Sequence, residues 1–297
     1  MEDHKKVVFN KYGFYQLKEI PSQSELNEYY QKKYYQENNS TYLHNYSSEE
    51  LRYILNKIEQ KALLINQMMK PMSKSPSLLD VGCGEGFTLS YFHNQGWKVK
   101  GIDFSSYGCK HHNPQMLENF TEGDVYALLN KIIESGEKFD CIWLDNVLEH
   151  VIDPENLLKR IFEISHSGTV LVVEVPNDFS TLQKKLLETG AINKEFWVVS
   201  PDHISYFNRS GLENLAQHCG WISKDGLADF PIDFNLANPF ANYVMQKETG
   251  KGAHAQRIFI DNMMHDISPE LTNQFYKSLA QMGLGRQISV FLMPNKF

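Results

Sequence analysis

The chain reads as an α/β protein built on a doubly wound, mostly parallel sheet. Three observations predict this. Residues 77–86 run Ser-Leu-Leu-Asp-Val-Gly-Cys-Gly-Glu-Gly, and Phe87 to Gln95 then carry a helical pattern. Strand, glycine loop and helix in that order open a mononucleotide-binding half of such a sheet. From 77 to 175 strand and helix patterns alternate, as parallel βαβ units require. Acidic residues close these strands at Asp80, Asp103 and Asp145, with Asp124 just beyond another. In open α/β sheets ligands bind at the carboxyl edge of the strands.

The elements follow in order. Residues 1–46 are dense in tyrosine: Tyr12, Tyr15, Tyr29, Tyr30, Tyr34, Tyr35, Tyr42 and Tyr46. They show no long period and read as an irregular arm, either packed on the core or lying as a lid over a ligand. Ser47-Ser-Glu-Glu50 is a capping-box pattern. Leu51, Ile54, Leu55, Ile58, Ala62, Ile65 and Met69 then recur at helical spacing. Strands are predicted near 77–81, 98–102, 119–122, 139–145 and 168–175. Helices are predicted near 87–95, 105–117, 124–135 and 154–165, the last with Asp153 as cap and Pro154 at its first position. Ser210 to Gly220 is a capped helix closed by glycine, and strands near 221–227 and 287–293 bring the total to seven. Residues 230–286 are too long for a structureless loop and read as a partly helical insertion. The implied organisation is an arm and helix over 1–70, a central domain from 71–229 and 287–297, and an acceptor cap over 230–286.

Composition bounds the function. The 297 residues are 42% hydrophobic and 22% charged, with net charge −7, the balance of an ordinary globular protein. No run of Lys and Arg stands out, which argues against a nucleic-acid partner. Cys83, Cys109, Cys141 and Cys219 form no C-x-x-C pair, so a cysteine metal site is not expected. No long apolar run follows the N-terminus, so neither a signal peptide nor a membrane span is expected. A reducing, cytoplasmic setting fits these features.

Loop spacing selects the ligand. A dinucleotide fingerprint is G-x-G-x-x-G, but here Gly86 falls two residues after Gly84 and Phe87 takes the fingerprint position. No Gly-Lys-Ser/Thr follows, which excludes a P-loop. Asp80 before the loop repels a phosphate and suits a cation such as a sulfonium bearing an ammonium group. At these residues the chain resembles the class I S-adenosylmethionine-dependent methyltransferases, whose first motif Asp80-Val-Gly-Cys-Gly-Glu-Gly86 reproduces closely. The resemblance covers roughly 77–227 and 287–293, and implies a Rossmann-like sheet with S-adenosylmethionine as cofactor and S-adenosylhomocysteine as product. It implies a cradle from Asp80, Gly82, Cys83 and Gly84. Asp103 would accept the ribose hydroxyls, Phe104 pack on the adenine, and Asp124 with Val125 meet the adenine amine. Asp145 lies at the end of the fourth strand.

Within that class, Asp145-Asn-Val-Leu-Glu-His-Val-Ile-Asp-Pro154 looks like the E-H-V-x-D-P element of a group holding ubiquinone-biosynthesis O-methyltransferases and many sugar and polysaccharide methyltransferases. Pro201-Asp-His-Ile-Ser-Tyr-Phe-Asn208 looks like the group's H-x-x-x-F element, and Gly283 to Phe291 resembles tails of its sugar-modifying members. Ubiquinone enzymes carry an acid where this chain has Asn146, and a metal is proposed there, so no metal is expected. The cysteine zinc module of sugar C-methyltransferases is absent.

Methyl transfer to an alcohol needs a base for its proton, and His is the usual choice. His150 and His203 are the candidate catalytic residues, each with a loop-ordering role as the alternative, and His254 is a third. Glu149 is read as a substrate-positioning residue. His111 and His112 read as solvated surface. Arg257 and Arg286 read as surface residues or as partners of a phosphate or carboxylate. The expected acceptor is a sugar, sugar nucleotide or surface polysaccharide, with a small phenolic or quinone-like acceptor as the alternative. A non-catalytic binder of the cofactor and a nicotinamide oxidoreductase stay open, and the oligomeric state is not legible.

Overall fold

The computed structural model describes residues 6–26, 28–29 and 45–295. Val7–Phe9 (β1) and Tyr15–Leu17 (β2) form an antiparallel pair. Helix Ser48–Met68 (α1) starts at Ser47, whose side chain and that of Glu50 complete the predicted capping box. The central run is Ser77–Val81 (β3), Phe87–Asn94 (α2), Lys98–Asp103 (β4), Tyr107–His112 (α3), Phe120–Glu122 (β5), Val125–Ser135 (α4), Phe139–Asp145 (β6), Pro154–Glu163 (α5) and Ser165–Pro176 (β7). Thr181–Glu188 (α6), Ser205–Tyr206 (β8), Arg209–His218 (α7) and Trp221–Ala228 (β9) follow, then Gly250–Ile267 (α8), Pro269–Gln281 (α9) and Gln287–Pro294 (β10).

Seven strands form the main sheet in the order β5-β4-β3-β6-β7-β10-β9. The first five are mutually parallel, and β10 runs antiparallel to both neighbours. The order reverses between β3 and β6, the crevice where doubly wound sheets bind ligands.

Strand periodicity divides the core between two faces. Ile142 and Leu144 of β6 join Leu171, Val173 and Val175 of β7 under α4, α5 and α7. Cys141 and Trp143 join Val170 and Val172 on the other face, packed against Ile58, Ala62 and Ile65 of α1 and Tyr276 and Leu279 of α9. Part of the 230–286 segment is therefore a layer of the fold.

Several local expectations are corrected. The helix predicted near 105–117 breaks after His112, because Asn113-Pro114 starts a separate 3-10 turn, Pro114–Asn119. The helical part of the 230–286 insertion is two helices, parted where Ser268 caps α9 and Pro269 takes its first position. The arm is not irregular over its described part. β2 pairs with β8 as well as β1, making a small second sheet. Tyr30, Tyr34, Tyr35 and Tyr42 lie outside the described residues. Helix α6 had no counterpart in the sequence reading, although Ser180 and Gln183 form a capping box. No helix among the described residues is long and apolar enough to cross a membrane.

Candidate active site

The loop after β3 turns on left-handed glycines, with φ of 78° at Gly82, 47° at Gly84 and 77° at Gly86. A Cβ on Gly82 would lie 2.3 Å from Cγ2 of Val147, so glycine is required there for conformation and for space. The Gly84 amide donates to Oδ2 of Asp103 at 2.9 Å, and the Ser105 amide donates to Oδ1 at 3.0 Å. Asp103 is thus fixed at the end of β4 with acceptor capacity left on both oxygens. Its carboxyl is raised by burial, partly offset by these amides. Asp80, 3% exposed, is held well above the usual carboxylate range by burial and then by Asp145 and Asp103. Such a cluster gains from a cation.

One cation is built in. Lys61 of α1 is buried, and its Nζ lies 2.7 Å from Asp145 and 2.8 Å from Glu174. Burial works against its charge, but the two carboxylates hold it protonated, above the usual lysine range. Burial likewise opposes the Glu174 charge, yet Lys61 keeps that carboxyl low, while Asp145 is pushed up to about 6 by burial and by Glu174. Counting Asp80, Asp103, Asp145 and Glu174 against Lys61, the edge stays acidic.

The loop after β6 brings Glu149 and His150 to His203, with ligand-capable atoms of the three within 4.8 Å of one another. The His150 and His203 rings meet edge to face at 4.9 Å. Nδ1 of His150 lies 2.6 Å from the Asp202 carbonyl. A carbonyl only accepts, so Nδ1 carries the proton and Nε2 is the acceptor nitrogen. Glu149 is 1% exposed, and burial raises its carboxyl well above the usual range. Its Oε2 has no hydrogen-bond partner among the described residues.

The remaining expected positions fall as follows. Phe104 is 38% exposed at the end of β4. Asp124 caps α4, its side chain accepting from the Ala127 amide at 2.8 Å, and Val125 packs partly on the first core face. Cys83 is buried beneath the loop, where Gly101 passes so close that a Cβ there would be 2.7 Å from its sulfur. His112 is not solvated surface: its Nε2 lies 3.3 Å from Glu85, which also accepts from the Tyr46 hydroxyl. Arg286 is not surface either, since it pairs at 2.9 Å with Asp178, which is 1% exposed in its side chain. Lys61 and Glu174 were missed. The only available signal was a lysine inside the apolar spacing of α1 and a glutamate inside an otherwise apolar strand.

A family model described as a methyltransferase domain matches residues 53–222. The ubiquinone biosynthesis O-methyltransferase of Chelativorans sp. is 27% identical over 62% of this chain and 73% of its own. That of Pelagibacter ubique is 27% identical over 46% of this chain and 55% of its own. The human mitochondrial enzyme is 28% identical over 56% and 45%. The chain thus spans about half the length of the last two. Among solved structures, a SAM dependent methyltransferase from Archaeoglobus fulgidus superposes with TM-score 0.50 at 16% identity, over 80% of this chain and 94% of that one. The plantazolicin methyltransferase BpumL in complex with SAH superposes with TM-score 0.52 at 16% identity, over 92% and 99%. These two likenesses concern the fold. With a glycine loop, an acidic ligand edge and more than half of its 297 residues inside the matched model, the chain belongs to the methyltransferase-domain family.

Proposed function

We propose that this chain is an S-adenosylmethionine-dependent methyltransferase that methylates a hydroxyl of a small-molecule acceptor. The observation that carries the reading is the acidic edge around the glycine loop, where Asp80, Asp103 and Asp145 face a single cation among the described residues, Lys61. A phosphate-bearing dinucleotide is disfavoured there, and a ligand with a sulfonium and an ammonium is favoured. The sequence reading put sugar acceptors first. The curated relatives quoted above are named for ubiquinone biosynthesis, and this moves a phenolic or quinone-like acceptor ahead of a sugar.

Bound at this edge, S-adenosylmethionine would supply a methyl carbon on a positively charged sulfur. The fixed acceptor oxygens of Asp103 suit its ribose, and the Asp80 carboxyl suits its cationic end. His150 presents Nε2 for the proton of the acceptor hydroxyl, because Nδ1 is committed to the Asp202 carbonyl. Nε2 of His150 would take the proton that the acceptor hydroxyl gives up as its oxygen is methylated. Holding the nucleophile in line accounts for much of the rate in such a displacement, and proton removal for roughly 10²–10⁴. His203, packed on His150, is the second candidate for that proton. The contact of Tyr46 with Glu85 supports a lid role for the arm.

Calorimetric titration with S-adenosylmethionine, S-adenosylhomocysteine and NAD tests the cofactor. The reading expects micromolar binding of the first two and none of NAD. Incubation with labelled S-adenosylmethionine and separate phenolic and sugar pools then identifies the acceptor class by mass shift. Absence of transfer to every pool, with cofactor binding intact, would favour a non-catalytic binder.

A further inference from the structure

Arg257 of α8 is held by a ring contact and one hydrogen bond, with donors to spare. Three other cations in this part of the fold are each paired with a carboxylate: Lys57 with Asp261 at 3.4 Å, Lys61 with Asp145 and Glu174, and Arg286 with Asp178. No carboxylate of a described residue lies within ion-pair distance of Arg257. Its guanidinium lies over the ring of Tyr53, 5.4 Å from the centroid. Its Nη2 donates to Nδ1 of His254 at 2.7 Å, which leaves the His254 proton on Nε2, 3.8 Å from Glu50. Its Nε is buried with no hydrogen-bond partner among the described residues. A guanidinium has five donors in a fixed fork, and a buried donor left unmade is costly. The side chain is positioned, stacked and unsatisfied.

Its surroundings locate it. Tyr53 is within electrostatic reach of Arg257, Asp229 and Glu174, and Tyr243 within reach of Arg286 and Arg257. Asp229 follows β9 directly, and its Oδ1 accepts from the amides of Arg286 and Gln287. Gln287 pairs with Pro176 at the end of β7, and Glu174 pairs with Asp145 at the end of β6. Arg257 is also within electrostatic reach of Asp229 itself, on the side of the sheet where β9 ends and β10 begins. Asp80 and Asp103 end β3 and β4, on the other side of β6.

We propose that Arg257 is an oxyanion site for the acceptor, so that the methylated molecule carries a carboxylate or phosphate beside its hydroxyl, received by Nε and an adjacent Nη in the fork geometry such groups favour. This rests on the methyl-transfer reading and names the class of acceptor. Nothing but the oxyanion is specified, and the two sources are separated by the test.

The test titrates the full chain, saturated with S-adenosylhomocysteine, with benzoate, phenyl phosphate and neutral benzamide at fixed ionic strength. Arg257→Leu and Arg257→Lys are run alongside. Saturable binding of benzoate or phenyl phosphate, with benzamide at least tenfold weaker, is expected. The preference should vanish in Arg257→Leu and be partly kept in Arg257→Lys, while affinity for S-adenosylhomocysteine stays the same in all three. Whichever anion binds tighter identifies the group. Equal binding of anion and amide, no binding of either anion, or anion binding unchanged in Arg257→Leu overturns the proposal. A fall in S-adenosylhomocysteine affinity in Arg257→Leu also overturns it, because Arg257 would then hold the carboxylate of the cofactor. Failure of S-adenosylhomocysteine to bind the unmodified chain counts instead against the methyl-transfer reading.

Discussion

Asp103 takes one backbone amide on each carboxylate oxygen, from Gly84 and Ser105, and these bonds tie the loop to the end of β4. Asp103→Ala removes both and any ribose contact. It should weaken S-adenosylhomocysteine binding by about 1–3 kcal/mol, the range for charge-assisted hydrogen bonds, and unchanged affinity in calorimetry would remove Asp103 from the site. At the other end, His150→Ala should lower turnover by roughly 10²–10⁴ with cofactor affinity intact. EDTA should leave the parent rate unchanged. Loss of activity in EDTA with recovery on a divalent cation would reassign Glu149, His150 and His203 to metal binding. Asp229 makes a pH prediction. Burial pushes its carboxyl up to about 6 from an ordinary 3.8. A raised carboxyl gives stability that is complete below the unfolded value and lost as pH rises from about 4 through 6, roughly 3 kcal/mol for two units. Asp229→Asn keeps an oxygen for the two amides, so it should match the parent near pH 4 and exceed it by up to about 3 kcal/mol above pH 7. Equal melting temperatures at both pH values would refute this. Asp80, Asp103 and Asp145 were legible as acids at or beside the ends of strands. Lys61 and Glu174 were not, since their partners lie 84 or 115 positions away in sequence and only folding joins them.

At the scale of elements, caps and punctuation were legible and short pairings were not. Ser47-Ser-Glu-Glu50, Asp153-Pro154 and Gly220 marked boundaries that the chain uses. β1, β2 and β8 have only two or three residues each, too few for a period to show, and β8 is distant in sequence from its partner. Ser268-Pro269 is a helix-start signal of the same kind that parts α8 from α9. The main consequence concerns 230–286. Tyr276, Leu279 and Ala280 of α9 are buried in the same cluster as Leu78 and Trp143, and Tyr276 donates its hydroxyl to Asp261 of α8 at 2.5 Å. Leu279→Ala should therefore cost about 2–5 kcal/mol, the usual range for a core leucine, measured by denaturant unfolding. Deleting 230–286 should abolish folding. A deletion variant that still melts cooperatively and binds S-adenosylhomocysteine would restore the view that the whole segment is a dispensable cap.

For the whole molecule, the acidic edge proposed to bind the ligand is also where fold stability is taxed. A doubly wound, mostly parallel sheet of seven strands was expected from the sequence, but its strand order with the reversal at β3/β6, and the excess of carboxylates over cations there among the described residues, emerge only when strands distant in sequence lie side by side. That excess has a cost without ligand. Asp80, raised well above its usual range by burial and by Asp145 and Asp103, gives stability that is lost as pH climbs past the ordinary carboxylate value. Asp80→Asn should then raise the melting temperature of the ligand-free chain at pH 8 and leave it nearly unchanged at pH 4. A ligand at a hundred times its dissociation constant stabilises by about 2.7 kcal/mol, several degrees for a chain of this size. S-adenosylhomocysteine should shift the parent by that amount and NAD should not. In Asp80→Asn the same concentration should give a smaller shift, because the carboxylate proposed to receive the cationic end of the ligand is gone. The two effects run in opposite directions, so a simple loss of folding cannot mimic them. A variant that gains no stability at pH 8, or keeps the full ligand-induced shift, would show that Asp80 is an ordinary buried acid and that the cation is held elsewhere.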